Sequence, residues 1–97
     1  MRVLFADAKL ERICTQEAQM KRKLGGPVAK GLRRRMAELY SANSVKDLWD
    51  GPGKWHRLSA DRGGEISGSL SANWRIVLSP ADDDVSEVAV DSIEDYH

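Results

Sequence analysis

The spacing of hydrophobic residues changes about halfway along the chain. Up to about residue 40, they recur every three or four positions, as on the buried face of a helix. After about residue 54, they alternate with polar residues, as in strands that have one buried face. The change predicts helices first and strands afterwards, which is typical of an α+β fold.

The first half is predicted to contain one short strand and two helices. The apolar run at residues 3–5 suits a strand, and Asp7 after it suits a helix N-cap. The first helix should end at Gly25, Gly26 and Pro27, where glycine and proline break helices. The second helix should run over about residues 28–40. Two helices joined by so short a turn form a helical hairpin.

The second half is predicted to contain four strands. Residues 41–54 form a loop with one helical turn near 45–49, and strands follow at about 54–60, 65–71, 73–80 and 85–93. Strands in direct succession favour a mainly antiparallel sheet that carries the helical hairpin on one face, in the order β-α-α-β-β-β-β. A chain of 97 residues has room for one such domain, which we take to span residues 1–97.

The net charge is zero, but the charges are unevenly distributed. Residues 1–62 carry 14 Lys or Arg against 7 Asp or Glu, whereas residues 63–97 carry one Arg against 8 acidic residues. Such asymmetry suggests a polyanionic partner for part of the surface, although two solvated faces would give the same pattern. No apolar run is long enough for a membrane span, and Cys14 is the single cysteine. We therefore expect a reduced, cytoplasmic protein in which Cys14 fills the core.

Nearly the whole sequence resembles the HigB branch of the RelE/ParE superfamily of bacterial type II toxins. The segments "HRLSADRGGEISGSLSANWRIVLSP" and "VDSIEDYH" carry the resemblance, and "KLERICTQEAQMKRKLGG" and "AKGLRRRMAEL" look like helices of that branch. The motifs N-W-R-I and D-Y-H, some twenty residues apart, are its most specific part. The resemblance implies two helices on a twisted, mainly antiparallel sheet. It also implies ribosome-dependent cleavage of mRNA without metal or cofactor, and inhibition by an antitoxin with a helix-turn-helix domain.

Metal-free RNA cleavage needs proton transfer and stabilisation of charge on phosphorus. Arg75 is the foremost candidate, since a guanidinium can bind two phosphate oxygens and this one lies on an apolar strand. His56 and His97 match family histidines and are candidates for proton transfer or phosphate contact. Tyr96 would stack on a base or donate to phosphate, and Asp95 would orient an imidazole. The alternatives from the residues alone are a strand arginine that is exposed or paired with a carboxylate, inert histidines and a packing tyrosine.

The basic residues of the helices are predicted to contact ribosomal RNA phosphates, with a solvated helix face as the alternative. They are Lys21, Lys23, Lys30, Arg33, Arg34 and Arg35. Ser59 stands where many HigB members have a lysine, and Arg57 or Arg62 is expected to reach the same space. The acidic segment at residues 81–84 is expected to point away from RNA, towards an antitoxin.

Two other functions share this fold. A ParE-like toxin would poison a protein target such as DNA gyrase, although it would not need the D-Y-H ending. A catalytically idle binding or regulatory module is the other alternative, favoured by the absent lysine and the neutral total charge.

Overall fold

The computed structural model of the chain describes residues 1–95, which form three helices and five strands in the order β-α-α-α-β-β-β-β. Two short 3-10 turns, Val45–Leu48 and Ala60–Arg62, lie on either side of β2. The elements are β1 (Arg2–Phe5), α1 (Ala8–Thr15), α2 (Glu17–Leu24), α3 (Gly26–Ser41), β2 (His56–Arg57), β3 (Ile66–Ser69), β4 (Trp74–Ser79) and β5 (Glu87–Asp95).

The five strands form one sheet in the order β1-β5-β4-β3-β2. Strands β2 to β5 pair antiparallel with their neighbours, and β1 joins the sheet by pairing parallel with β5. A bulge between Val77 and Leu78 shifts the register of β4 against β5. The α+β fold with a mainly antiparallel sheet, predicted from the sequence, is confirmed.

The helices cover one face of the sheet, and the core lies between the two layers. Helix α3 contributes Leu32, Met36 and Leu39 to this core, and the strands contribute residues such as Ile66 and Ile76. Cys14 also lies there, and burial raises the pKa of its thiol to about 12. The opposite face of the sheet, which carries Arg75, is called the open face below.

The predicted first helix is in fact two helices, because the chain is extended at Gln16 (φ −114°, ψ 116°). Cys14 and Met20 are both buried. Six residues of continuous helix would turn these side chains about 120° apart, so that one would face away from the core. The break turns both inward. The predicted N-cap is confirmed, since the Leu10 amide donates to Asp7 Oδ1 at 2.8 Å.

Strand β2 is much shorter than the predicted strand at 54–60. Lys54 (φ 52°) and Ala60 (φ 58°) both have left-handed backbone conformations, which interrupt an extended strand on either side of His56–Arg57. Over residues 1–95, no helix is long and apolar enough to cross a membrane.

Candidate active site on the open face of the sheet

Arg75 lies in the middle of the open face, half-buried, between two polar residues of the neighbouring strands. Its Cα partner on β3 is Ser69 and its partner on β5 is Glu94. Directly opposed residues in an antiparallel sheet share a face, and successive residues alternate between faces. The apolar neighbours Trp74 and Ile76 therefore turn towards the helices, while Arg75 points away from them.

The first residue of the D-Y-H motif lies beside the distant N-W-R-I motif in the sheet. Trp74 of N-W-R-I pairs with Asp95, the first residue of D-Y-H. Asp95 is thus one register position from Arg75 but, as the partner of Trp74, belongs to the other face of the sheet, and Glu94 is the residue opposite this arginine. Tyr96 and His97 lie outside the described residues, so their predicted place beside Arg75 remains a prediction.

His56 lies exposed on β2, and its ring has a contact on each nitrogen. Nδ1 is 3.3 Å from the carbonyl oxygen of Lys54, and Nε2 is 3.3 Å from Ser67 Oγ. Because a carbonyl can only accept, the first contact favours the tautomer with the proton on Nδ1. Nε2 then carries the lone pair, accepts from the serine hydroxyl and is suited to take a proton.

His56 and Arg75 share the open face but do not stand next to each other. The register connects His56 to Ser67 and Ser67 to Val77, two residues along β4 from Arg75. Two strand spacings separate β2 from β4, which is about 10 Å. Ser67 and Val77 form the strip of the open face between them, and both residues are buried.

Arg62 reaches onto this strip from the Ala60–Arg62 turn and bridges two carboxylates. Its Nη1 and Nη2 donate to the two carboxylate oxygens of Glu94 at 2.9 and 2.6 Å, and its Nε donates to Glu65 Oε1 at 2.8 Å. Glu65 precedes β3 and Glu94 lies on β5, so the guanidinium crosses above β4. Val77 of β4 is only 1% exposed although it belongs to this face, in agreement with such cover.

The bridge sets the charge state of Glu94. The hydrogen bond from Arg62, and next the one from Ser92 Oγ at 2.6 Å, lower the pKa of Glu94 to about 2. Burial raises the pKa of nearby Asp91, and the neighbouring Glu65 raises it further. The middle of the open face therefore holds the two guanidiniums together with several acidic side chains.

Arg57 does not reach the open face. Its guanidinium donates to Asp83 Oδ1 at 2.6 Å and to the carbonyl oxygen of Ala81 at 3.3 Å, and it stacks on Trp49 at 4.6 Å from the ring centroid. Of the two arginines expected to replace the absent lysine near Ser59, the structure therefore brings only Arg62 to the sheet face that carries Arg75.

In the acidic segment at residues 81–84, Asp83 is bound within the protein. Trp49 Nε1 donates to Asp83 Oδ1 at 2.8 Å, and this bond, with that from Arg57, lowers the pKa of the carboxyl. Asp83 thus fastens the loop before β5 to the Val45–Leu48 turn. Since 46% of its side chain is still exposed, the contact of this segment with an antitoxin stays a prediction.

The basic side chains of the helices form a second surface, on the layer away from the open face. Lys21, Lys23, Lys30 and Arg34 are exposed. Arg33 is exposed too, although it forms a salt bridge with Glu17. The positively charged residues predicted to bind RNA are thus divided between the helical layer and the open face.

The prediction that Arg35 contacts RNA is wrong, because this residue is buried (7% exposed). Its Nη1 lies 3.4 Å from Glu38 Oε1, which also accepts a hydrogen bond from Trp55 Nε1 at 3.0 Å. Gly53 packs against Arg35 and Trp55, since an added Cβ would come 2.6 Å from Arg35 Nη1 and 2.3 Å from Trp55 Nε1. Arg35 therefore holds together α3 and the segment that leads into His56.

Sequence reasoning did not identify Glu65 and Glu94, the two carboxylates that hold Arg62. The alternation Ser92, Ile93, Glu94 carries a signal, since polar residues two apart around an apolar one lie on one exposed face. Pairing Glu94 with Arg75 requires the strand register, which the bulge after Val77 shifts by one residue.

Comparison with solved structures finds the same fold in several proteins of low sequence identity. The YoeB/ParE toxin from Agrobacterium tumefaciens matches with a TM-score of 0.66 and 12% identity over 100% of both chains. A chain of the YoeB-YefM complex from Staphylococcus aureus matches with a TM-score of 0.64 and 16% identity, over 100% of this chain and 97% of that chain. YafQ from E. coli matches with a TM-score of 0.60 and 10% identity, over 98% and 93%.

Neither protein-family models nor curated protein sequences gave a match. The HigB branch stays a prediction from the sequence motifs. The structure and its neighbours together establish that this chain has the RelE/YoeB-like toxin fold.

Proposed function

We propose that the protein is the toxin of a type II toxin–antitoxin module and cuts mRNA on the ribosome. The pairing of β4 with β5 carries this proposal, because it places Arg75 beside the strand that leads into Asp95, Tyr96 and His97. Asp95, the first residue of one family motif, thereby lies beside Trp74 of the other. The fold likeness to the YoeB/ParE toxin over the whole chain supports the same function.

In the proposed reaction, the substrate's own 2′-hydroxyl attacks the adjacent phosphorus. A base removes the hydroxyl proton, the bond from phosphorus to the 5′-oxygen breaks, and an acid protonates that oxygen. The products are a 2′,3′-cyclic phosphate and a free 5′-hydroxyl, and no metal or cofactor takes part. Acid–base assistance of this kind is typically worth about 10²–10⁴-fold in rate.

Arg75 would stabilise the charge that develops on the phosphorane oxygens. Its central place on the open face and its permanent charge suit this role. His56 would exchange a proton through Nε2, since its Nδ1 faces the carbonyl oxygen of Lys54. His97 is the second candidate for proton transfer, with Asp95 to orient an imidazole and Tyr96 to stack on a base.

The exposed basic residues of the helices would bind ribosomal RNA in this proposal. Lys21, Lys23, Lys30 and Arg34 lie on the layer away from Arg75, so the protein could contact ribosomal RNA with one side and mRNA with the other. Such contacts weaken as salt rises. The YoeB-YefM complex is a toxin-fold chain solved together with YefM, which supports a cognate antitoxin as the partner here. We propose that the protein acts in the cytoplasm.

The proposal is tested by cleavage of a defined mRNA in a purified translation system, mapped by primer extension with excess chelator present. Arg75→Ala should reduce cleavage by about 10²–10³-fold, the usual cost of a group that stabilises transition-state charge. Deletion of His97 should also abolish cutting. Arg2→Ala is the matched control, because this exposed arginine lies on the far edge strand in a salt bridge with Glu87.

Cuts that need the ribosome, survive chelation and disappear in the two site variants would support the proposal. Intact message with folded, antitoxin-free wild-type protein would refute it. Inhibition of growth without RNA cleavage would then favour a ParE-like action on a protein target, and no toxicity would favour an idle module.

A further inference from the structure

Arg62 holds a carboxylate of the chain itself, on the face where the proposed function places an RNA phosphate. Its Nη1 and Nη2 bind the two oxygens of Glu94 at 2.9 and 2.6 Å. A phosphodiester offers a guanidinium the same pair of acceptor oxygens. The Glu94 carboxylate thus occupies the end of Arg62 that would otherwise grip the substrate.

Glu94 also faces the second guanidinium of this surface. It is the Cα partner of Arg75, and directly opposed residues have Cβ atoms about 4.5–5.5 Å apart on one face. Ser92 Oγ donates to Glu94 Oε2 at 2.6 Å, which fixes the carboxylate in place. One anionic side chain therefore binds one arginine of the open face and lies directly across the strands from the other.

The surrounding charges make this position unfavourable for another anion. Arg62 already has Glu65 on its Nε, and Asp91 lies close to Glu65 on the same side. The pKa of Glu94 is about 2, so its carboxylate is ionised at any cellular pH. An incoming phosphodiester must displace Glu94 from Arg62 or bind against its charge.

We propose that Glu94 is a built-in competitor for the substrate phosphodiester, which keeps the open face from binding free RNA. This inference rests on the proposed function, since it concerns the specificity of that same site. A message held on the ribosome would displace Glu94 because the exposed basic helices supply additional binding energy at the same time. A free RNA strand, which binds only to the open face, lacks that contribution.

The test measures binding of an uncleavable RNA oligonucleotide with 2′-O-methyl groups, followed by fluorescence anisotropy over a series of salt concentrations. Glu94→Gln should tighten binding about tenfold, as expected when charge-assisted bonds of Arg62 become available to phosphate. The slope of log affinity against log salt should steepen by about 0.7 for one additional phosphate contact. A purely structural role of Glu94 would not steepen this slope.

Matched variants test whether the gain in RNA binding comes from the guanidinium of Arg62. Glu87→Gln removes a carboxylate from the same strand, in an exposed pair with Arg2, and should leave binding unchanged. Arg62→Ala combined with Glu94→Gln should lose the gain, because the freed guanidinium is gone. Glu94→Ala provides a second measurement should the glutamine variant fail to fold.

Unchanged or weaker binding by Glu94→Gln would overturn the inference, as would a gain that persists without Arg62. The proposed function is judged separately, by whether wild-type protein cuts mRNA on the ribosome. If the wild-type protein cleaves mRNA normally but Glu94→Gln binds free RNA no better, the competitor role of Glu94 is rejected and the proposed endonuclease function is kept.

Discussion

Arg35 and Glu38 lie one turn apart on α3 and form an ion pair at 3.4 Å, with only 9% and 14% of their side chains exposed. Trp55 donates its indole N–H to the same carboxylate, directly before His56 in the chain. Arg35 Nε and Glu38 Oε2 have no hydrogen-bond partner in the described part of the protein. The pair is therefore costly to bury, yet it ties the helical layer to the strand that carries a candidate catalytic residue.

Replacing Arg35 should lower the free energy of unfolding far more than replacing its exposed neighbour Arg34. Arg35→Met leaves the Glu38 carboxylate buried without its counter-ion, which typically costs about 3–5 kcal/mol. Arg34→Met, on the exposed side of α3, should change the free energy of unfolding by about 0.5 kcal/mol or less. Urea unfolding measures both, and equal losses would contradict the buried pair.

Gly31 should not tolerate even one added methyl group. A Cβ there would lie 1.8 Å from the carbonyl oxygen of Leu70, so α3 would have to move away from the end of β3. Gly31→Ala should lower the free energy of unfolding by about 1–3 kcal/mol or more. Gly26→Ala in the same helix meets nothing within 4 Å and should not destabilise the protein. Thermal unfolding of the two variants tests this prediction. Similar melting temperatures would contradict the close contact of α3 with Leu70.

Ala60→Gly should stabilise the protein, although glycine usually does the opposite. Ala60 has φ 58°, a left-handed conformation that costs a residue with a Cβ about 1–2 kcal/mol. After the larger unfolded-state entropy of glycine is subtracted, a gain of about 0.5–1 kcal/mol is expected. Ala37→Gly, on the exposed surface of α3, should instead lose about 0.5–1 kcal/mol. Chemical denaturation measures both variants. If both are destabilised, the left-handed backbone conformation of Ala60 is contradicted.

The bridge between Arg62 and Glu94 should make stability sensitive to acid. The folded chain lowers the pKa of Glu94 from 4.5 to about 2, so folding favours the ionised carboxylate. This contribution is fully present above about pH 4.5 and is lost as the pH falls towards 2. Urea unfolding between pH 7 and pH 2 should show a smaller acid-induced loss in Glu94→Gln than in wild type.

Glu87→Gln is the control for the acid experiment, because it removes a carboxylate from an exposed pair on the same strand. It should keep the acid-induced loss of the wild type. Wild-type and Glu94→Gln curves that run parallel over the whole pH range would show that the bridge does not form in solution.

The succession of helices followed by strands was predictable because it depends on local hydrophobic spacing, but the division of the first helix and the partners of charged residues were not. Arg34 and Arg35 are adjacent and chemically identical, yet one is exposed and the other lies in the core. The break at Gln16 likewise carries no proline or glycine and follows from the need to bury Cys14 and Met20 together.

In the candidate site, too, single residues were predictable from the sequence but their partners were not. Family motifs identified Arg75 and His56, and the sheet brings both to the open face. Glu94 escaped notice because its importance depends on which residue of β4 it faces and on where Arg62 turns back over the sheet. Pairings between distant segments are set by tertiary packing, which one sequence does not encode in any local pattern.

The parallel pairing of β1 with β5 joins Arg2–Phe5 to Glu87–Val90, segments from nearly opposite ends of the described chain. During synthesis β1 therefore emerges long before β5, and until β5 follows, β1 has no strand to pair with. Contacts of such long sequence separation form late and slowly. A protein proposed to attack translation would thus complete its own sheet only once β5 has been synthesised and has left the ribosome.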